Sequence, residues 1–364
     1  MDFSPLRTRP IVLEDYRVVR SYVGGSLLDK WKGLPVKPES HLCEEWHLSV
    51  IETQLASSKP GEGLSLARLE DGSQATLRDI VASDPEGFLG REYVSKVGKT
   101  VSIGLRTGDS VVRLSLQAHP TQQDAMRYLN HPTGKAEAWY IVETREIDGQ
   151  GPFVLAGFKE GVTKQQIREM FFAQDVPGIE NAMHKLPIAK GDVLMIPAGM
   201  PHAMGFGAMF MEVADACDYT FKLERNMPGG PLEDVDMHYG IGFDRMLDCF
   251  DYTTYTREEI RSKVMRTPQP VQKTDTAQIY KLLDYQDTPR FTMFKYVIDG
   301  DYVLKSDGAY SAAIAIYGSG TLRAQDGYQA QFRQGQGVFL PADFGEITVS
   351  GQFTFLRCGG AQII

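Results

Sequence analysis

At 364 residues the chain exceeds the size at which a single hydrophobic core keeps growing, so about two or three packed units are expected. Apolar residues at 42% and charged residues at 23% are those of a globular protein, and they exclude long disordered tracts. A formal charge of −9 excludes a broad nucleic-acid or anionic-membrane surface, which would need clustered Lys and Arg; a few local cations could still hold a small anion. Cys43, Cys217, Cys249 and Cys358 form no CxxC pair and suit a reducing compartment. The first residues lack the apolar stretch of a secretory signal, and no apolar run is long enough to span a membrane. A cytoplasmic location is therefore expected.

Residues 1–110 alternate short β-prone pieces with polar turns such as Lys59-Pro-Gly-Glu-Gly63. Among them, Glu44, Trp46 and His47 are candidate site residues; a core role is the plainer reading of Trp46, as it is of Trp139. From Val111 to His119 the pattern alternates, so Gln117 and His119 project from one face of a strand, with Ser115 close by. Thr121 to Asn130 carries Ala125, Met126 and Leu129 at helical spacing, a short helix placed to cover a barrel mouth. A second β-rich run, Lys135 to Val142, puts Glu137 on one face with Lys135 and Trp139. Helices are expected at Thr163–Phe172 and Ile179–Leu186. After a Gly191 turn, the apolar strand Val193 to Ile196 and a Pro197/Gly199 turn re-aim the chain at His202. Thr256 to Val264 reads as a closing helix, and Thr267 to Val271 as an extended linker. His131, His184 and His238 have no motif around them and are read as surface or loop residues, and Cys217 as a small apolar strand residue.

Gln117, His119, Glu137 and His202 offer amide oxygen, imidazole nitrogen and carboxylate oxygen, a set suited to one Zn²⁺ per chain and tolerant of Co²⁺, Mn²⁺ or Fe²⁺. A lone strand His is more often a core or surface residue. Here, however, Gly-x5-Pro-x-Gly-x2-His occurs together with Gln-x-His and a downstream Glu. The expected architecture is mainly β with helical insertions: two cupin (double-stranded β-helix, jelly-roll) barrels, the second metal-free, plus a small helical region. Residues 1–265 would form the catalytic cupin domain, with an insert at about 158–190 and the closing helix at about 256–264. Residues 270–364 would form a degenerate cupin-like β domain. There, Gly335 to Pro341 repeats the Gly191 to Pro197 spacing, with Glu346 where His202 would stand. Its expected role is structural, with homodimer formation as the alternative.

Leu114-Ser-Leu-Gln-Ala-His-Pro120, Gly134-Lys-Ala-Glu-Ala-Trp-Tyr140 and Gly191 to Ala203 resemble, in order and spacing, the type I mannose-6-phosphate isomerase family. Glu44-Glu-Trp46-His-Leu-Ser49, Leu77 to Ile80 and Gly87 to Gly90 extend the likeness over about residues 10–265. The resemblance implies that Gln117, His119, Glu137 and His202 bind zinc and that Lys135 lies in the substrate pocket. It also implies interconversion of mannose 6-phosphate and fructose 6-phosphate through a cis-enediol proton transfer.

One position departs from the family. Where its Ser-Asp-x-x-x-Arg stretch carries Arg, this chain reads Cys217-Asp218-Tyr-Thr-Phe-Lys222, and an ammonium is a point charge rather than a two-pronged fork. Arg225 falls on the opposite face of a regular strand and is a poor substitute. Lys135 and Lys222 are the catalytic candidates, the former with a pKa that a nearby metal would lower. Ser115, Glu44 and Trp46 are the substrate-binding candidates. The expected partner is a small sugar phosphate, with neither nucleic acid nor membrane, and the chain is a monomer or homodimer. An isomerase of another hexose or hexose phosphate, a non-catalytic metal-containing sugar-binding cupin and an oxygen-activating iron cupin remain as alternatives.

Overall fold

The computed structural model describes residues 2–55 and 57–363. Two facing sheets build the first barrel. One runs in the order Met265–Arg266, Val193–Ile196, Glu137–Thr144, Ala208–Asp215, Ile103–Ser110, Glu44–Leu48, Arg17–Val18. The other runs Met183–Pro187, Phe153–Lys159, His202–Met204, Gln117–Ala118, Phe221–Lys222, with Thr254–Tyr255 added in parallel to Phe153–Lys159. Strands from distant parts of the chain thus meet around one lumen. Residues directly opposite across a ladder share a face, so the register decides which side chains enter it.

Helices close the barrel ends, and their caps are written locally. Thr121 caps Gln122–Tyr128 by accepting from the Asp124 amide. Capping boxes, Thr163 with Gln166 and Thr256 with Glu259, start Lys164–Ala173 and Arg257–Val264. The expectation of a helix over Ile179–Leu186 needs correction. The helix is Val176–Ala182, begun by Asp175 and Pro177; Met183–Pro187 is a strand that pairs with Phe153–Lys159, tertiary pairing overriding local periodicity. His184 is accordingly buried in that strand, its Nε2 2.7 Å from the Tyr255 carbonyl, and is not a surface residue.

The second barrel is built on three 14-residue strands, Thr292–Lys305, Ser311–Ala324 and Glu346–Gly359, with shorter ones beside them. Their period-2 pattern sends Tyr296, Ala313, Ala315 and Phe355 into its own core. Met293, Ala312, Ile314, Leu356 and Cys358 join Ile103, Leu105 and Phe88 in a core shared with the first barrel. Burial of each large apolar side chain there contributes about 1.5–3 kcal/mol, so the two barrels are held as one block. Ile11–Val12 pairs with Gly337–Leu340, which carries the N-terminal segment onto the second sheet. The stretch read as a linker is extended but not free: Gln269–Lys273 is the exposed edge strand beside Ala277–Leu283. Glu346, at the position corresponding to His202, pairs with Lys305 at the surface. No helix among the described residues is long and apolar enough to cross a membrane.

Candidate metal centre and pocket

The register of the second-described sheet places Lys222 opposite Gln117 and Gln117 opposite His202, so the three share one inward row. On the facing sheet, Trp139, Glu212, Arg106 and Trp46 form a row across four strands, with Glu137 two residues before Trp139 on the same face. The two rows close on each other. Glu137 Oε1 lies 3.0 Å from His202 Nε2, and its Oε2 lies 3.2 Å from His119 Nε2.

Both imidazoles are oriented by carbonyls. His119 Nδ1 stands 2.9 Å from the Tyr219 oxygen and His202 Nδ1 2.8 Å from the Met200 oxygen, so each ring donates there and turns the lone pair of Nε2 inward. Burial, with Lys135 nearby, pushes the His119 pKa down to about 4 against the pull of Glu137, which keeps it neutral. His119 Nε2 and Glu137 Oε1 are buried without a hydrogen-bond partner. The potential ligand atoms of His119, Glu137 and His202 all lie within 4.8 Å of one another. Two imidazole nitrogens and one carboxylate converge here, His119 Nε2 and Glu137 Oε1 without partners, and the set fits a divalent cation with an open coordination position. Among the described residues this is the cluster of His, Cys, Asp and Glu that could hold one.

Gln117 sits beside these three, but its amide nitrogen is the nearer atom, 3.2 Å from His202 Nε2, while Oε1 accepts from the Ser115 hydroxyl at 2.6 Å. Turning the amide over would present Oε1 to the centre and leave Nε2 to donate to Ser115. Ser115 is thus placed to orient the amide.

Lys135 is wedged between carboxylates, 2.8 Å from Glu137 and 3.1 Å from Glu212. Burial disfavours its charge, yet the two carboxylates outweigh this and raise its pKa. The same geometry splits the carboxylates. Burial acts against the charge of both, but Lys135 and His119 hold Glu137 well below the usual range, whereas burial and the charge of Glu137 raise Glu212. Lys222 is buried, its ammonium donating to the carbonyls of Thr220 at 3.2 Å and Asp236 at 2.6 Å. Burial and Arg20 lower its pKa to about 8, partly offset by Asp218.

These side chains line a narrow pocket with about 40 Å³ of internal space. Lys135, Lys222, Ser115 and Glu44 are all on its wall. Glu44 is not a free carboxylate: it accepts from Tyr22 at 2.9 Å and Trp46 at 3.0 Å and pairs with Arg20 at 3.3 Å. Trp46 stands behind the wall, fully buried, with the Arg106 guanidinium 4.0 Å over its ring, so that face is occupied. His47 is also outside the pocket, bonded to Thr107 at 2.7 Å.

Sequence reading passed over Arg20, Arg106, Glu212 and Tyr239, all on the pocket wall. Asp218 joins two of them, meeting Arg20 through both oxygens at 3.2 Å and Arg106 at 3.2 Å. Glu212 had a local signal, as a charge flanked on both sides by apolar residues within the strand Ala208–Asp215; Arg20 had none, being brought in by the fold.

A cupin protein whose first barrel holds a metal-competent centre of two histidines and one glutamate is the class that fold and site define. The profile of the mannose-6-phosphate isomerase cupin domain matches residues 281–358. The Bacillus subtilis protein named probable mannose-6-phosphate isomerase GmuF is 24% identical over 354 residues, 96% of this chain and 98% of its own. A Streptococcus mutans mannose-6-phosphate isomerase is 25% identical over 63% of this chain and 64% of its own. Among solved structures, a Bacillus subtilis mannose 6-phosphate isomerase superposes with a TM-score of 0.74 at 19% identity, covering 96% of this chain and 99% of that one. A phosphomannose isomerase variant from Salmonella typhimurium does so with 0.68 at 11%, covering 96% and 100%. Over nearly its whole length the chain is thus similar to proteins named mannose-6-phosphate isomerase.

Proposed function

We propose that the chain is a zinc-dependent aldose–ketose isomerase that interconverts mannose 6-phosphate and fructose 6-phosphate by cis-enediol proton transfer. The observation that carries this reading is the buried Lys135 between Glu137 and Glu212, beside two imidazoles whose Nε2 atoms face inward. A Zn²⁺ held by His119, Glu137 and His202, with Gln117 as fourth ligand, would supply Lewis-acid polarisation of the sugar oxygens without redox chemistry.

The protein's own groups would do the rest. Glu137 and Glu212 are two carboxylates whose pKa values the site drives apart, the pattern of an ionised ligand and a proton carrier. Glu212 would take the C2 proton of the aldose and return it at C1, and Lys135, within 3.1 Å of it, would steady charge developing on a sugar oxygen. Lys222 stands across the pocket as the cation for an anionic part of the substrate, in place of the family Arg.

The test is a coupled assay on metal-analysed protein with mannose 6-phosphate, free mannose and fructose. Chelator-sensitive turnover of the phosphate ester is expected; zinc-loaded protein inert on all three would move the reading to another sugar or to a binding role. Lys222→Met should raise KM about tenfold or more with a smaller fall in kcat, the loss expected of one charge-assisted contact. Lys222→Arg should keep or raise turnover, and its collapse would mean a pocket shaped around Lys. The parent's KM should also rise as pH passes upward through about 8, where Lys222 loses its charge. Stability should rise while binding weakens: the unfolded chain keeps that proton to about pH 10.4, so unfolding becomes harder as pH climbs between these values. A flat KM across this range would remove Lys222 from substrate binding.

A further inference from the structure

We propose that Arg290, supplied by the second barrel, is a positioning residue for the metal-competent centre, acting through Asp215 on the backbone that carries Lys135 and Glu137. Asp215 holds Ala136 from both sides: its carboxylate accepts from the Ala136 amide at 2.9 Å, and its own amide donates to the Ala136 carbonyl at 3.0 Å. Ala136 is the residue between the buried lysine and the carboxylate ligand, so this grip sets where both side chains begin. Arg290 grips Asp215 in turn, with Nε and Nη2 each 2.7 Å from Oδ1, and Nη2 also donates to Thr133 Oγ1 at 2.8 Å.

The fork therefore ties together the two ends of the segment Thr133 to Ala136 and the end of the strand Ala208–Asp215. The loop that presents Arg290 is itself anchored. Arg266 donates to Asp287 at 2.8 Å, the Arg290 amide to Thr288 Oγ1 at 3.3 Å, and the Gln362 amide to the Pro289 carbonyl at 2.9 Å. A ligand set has to be held within about 0.5 Å of its working geometry, and outer groups that orient ligands affect metal affinity by about 10–100-fold. On this assignment the second barrel has a use beyond packing: it supplies the outer clamp of the first barrel's centre.

The effect on turnover rests on the isomerase reading, whereas the effect on metal retention does not. Arg290 is 30% exposed in a crevice it shares with Lys135, Ala136 and Asp215, so a free guanidinium can enter where the side chain is removed. The experiment follows release of Zn²⁺ to a chromogenic chelator and mannose 6-phosphate turnover in the loaded full-length chain. It compares parent, Arg290→Ala and Arg290→Lys at a temperature where each is folded.

Arg290→Ala should release Zn²⁺ about tenfold faster, with kcat lowered by a similar factor and KM within about twofold. Methylguanidinium at non-denaturing concentration should restore both. Arg290→Lys keeps a charge on Asp215 without the fork and should fall between; if the alanine variant does not fold, this one carries the test alone. Parent-like release and kcat would overturn the assignment. So would a loss that follows a lowered Tm and is not restored by methylguanidinium. A parent inert on mannose 6-phosphate, with Zn²⁺ release still dependent on Arg290, would sink the isomerase reading and leave the clamp standing.

Discussion

Replacing His202 by alanine is expected to strip the centre of its metal and to lower isomerase turnover by about a thousandfold or more, the scale of losing a principal electrostatic stabiliser. The fold should survive. His202 enters the ladder through its backbone, opposite Gln117 and Ala156, and that pairing does not need the ring. What the ring supplies is one inward nitrogen 3.0 Å from Glu137, fixed by the Met200 carbonyl. Its removal leaves a small cavity and costs about 1–3 kcal/mol of stability, little beside the loss of a metal site. Metal per chain, circular dichroism and the coupled assay separate these effects. His184→Ala is the control, since that histidine is also buried but bonds the Tyr255 carbonyl and should leave metal content unchanged. Full metal and full activity in His202→Ala would place the metal elsewhere and end the mechanism proposed above.

The gathering of Gln117, His119, Glu137 and His202 was legible in the sequence because each is set by a short segment: alternation places Gln117 with His119 and Glu137 with Lys135. Gly191, Pro197 and Gly199 make the turn that brings in His202, Gly191 and Gly199 both at positive φ. The surrounding charges were not legible, because cross-strand register decides them. Arg106 meets Glu212 and Trp46 only once three strands align, and Arg20 reaches Asp218 across 198 positions of sequence. Trp46 shows the same limit from the other side: it is a substrate-binding candidate for which a core role is the plainer reading, and only the fold shows its ring covered by a guanidinium from a neighbouring strand. The helices read at Thr121 to Asn130, Thr163–Phe172 and Thr256 to Val264 stand at 122–128, 164–173 and 257–264, whereas residues 183–187 became a strand because a long partner strand was available.

Asp218→Asn is expected to cost about 3–5 kcal/mol at neutral pH, because it leaves buried guanidiniums without the carboxylate that links them. Asp218 accepts from Arg20, Arg106 and the Gln54 amide, and all three charged side chains are largely out of water. Arg20 would retain Glu44, and Arg106 would retain Glu212 at 3.5 Å, so the loss should fall toward the lower end of that range. The pH dependence carries a second signature. Burial raises the Asp218 pKa, but Arg20, Arg106 and Lys135 outweigh it and hold the carboxyl well below its ordinary value. Its stabilisation is therefore complete above the unfolded value near 3.9 and is lost as pH falls below it toward the folded value. Denaturant unfolding of parent and variant should show the full gap at pH 7 and a narrowing gap below about pH 4, since the variant lacks this group to titrate. A gap that stays constant into acid, or no gap at pH 7, would mean that Arg20 and Arg106 are held by their other partners and that Asp218 does not organise the cationic wall of the pocket.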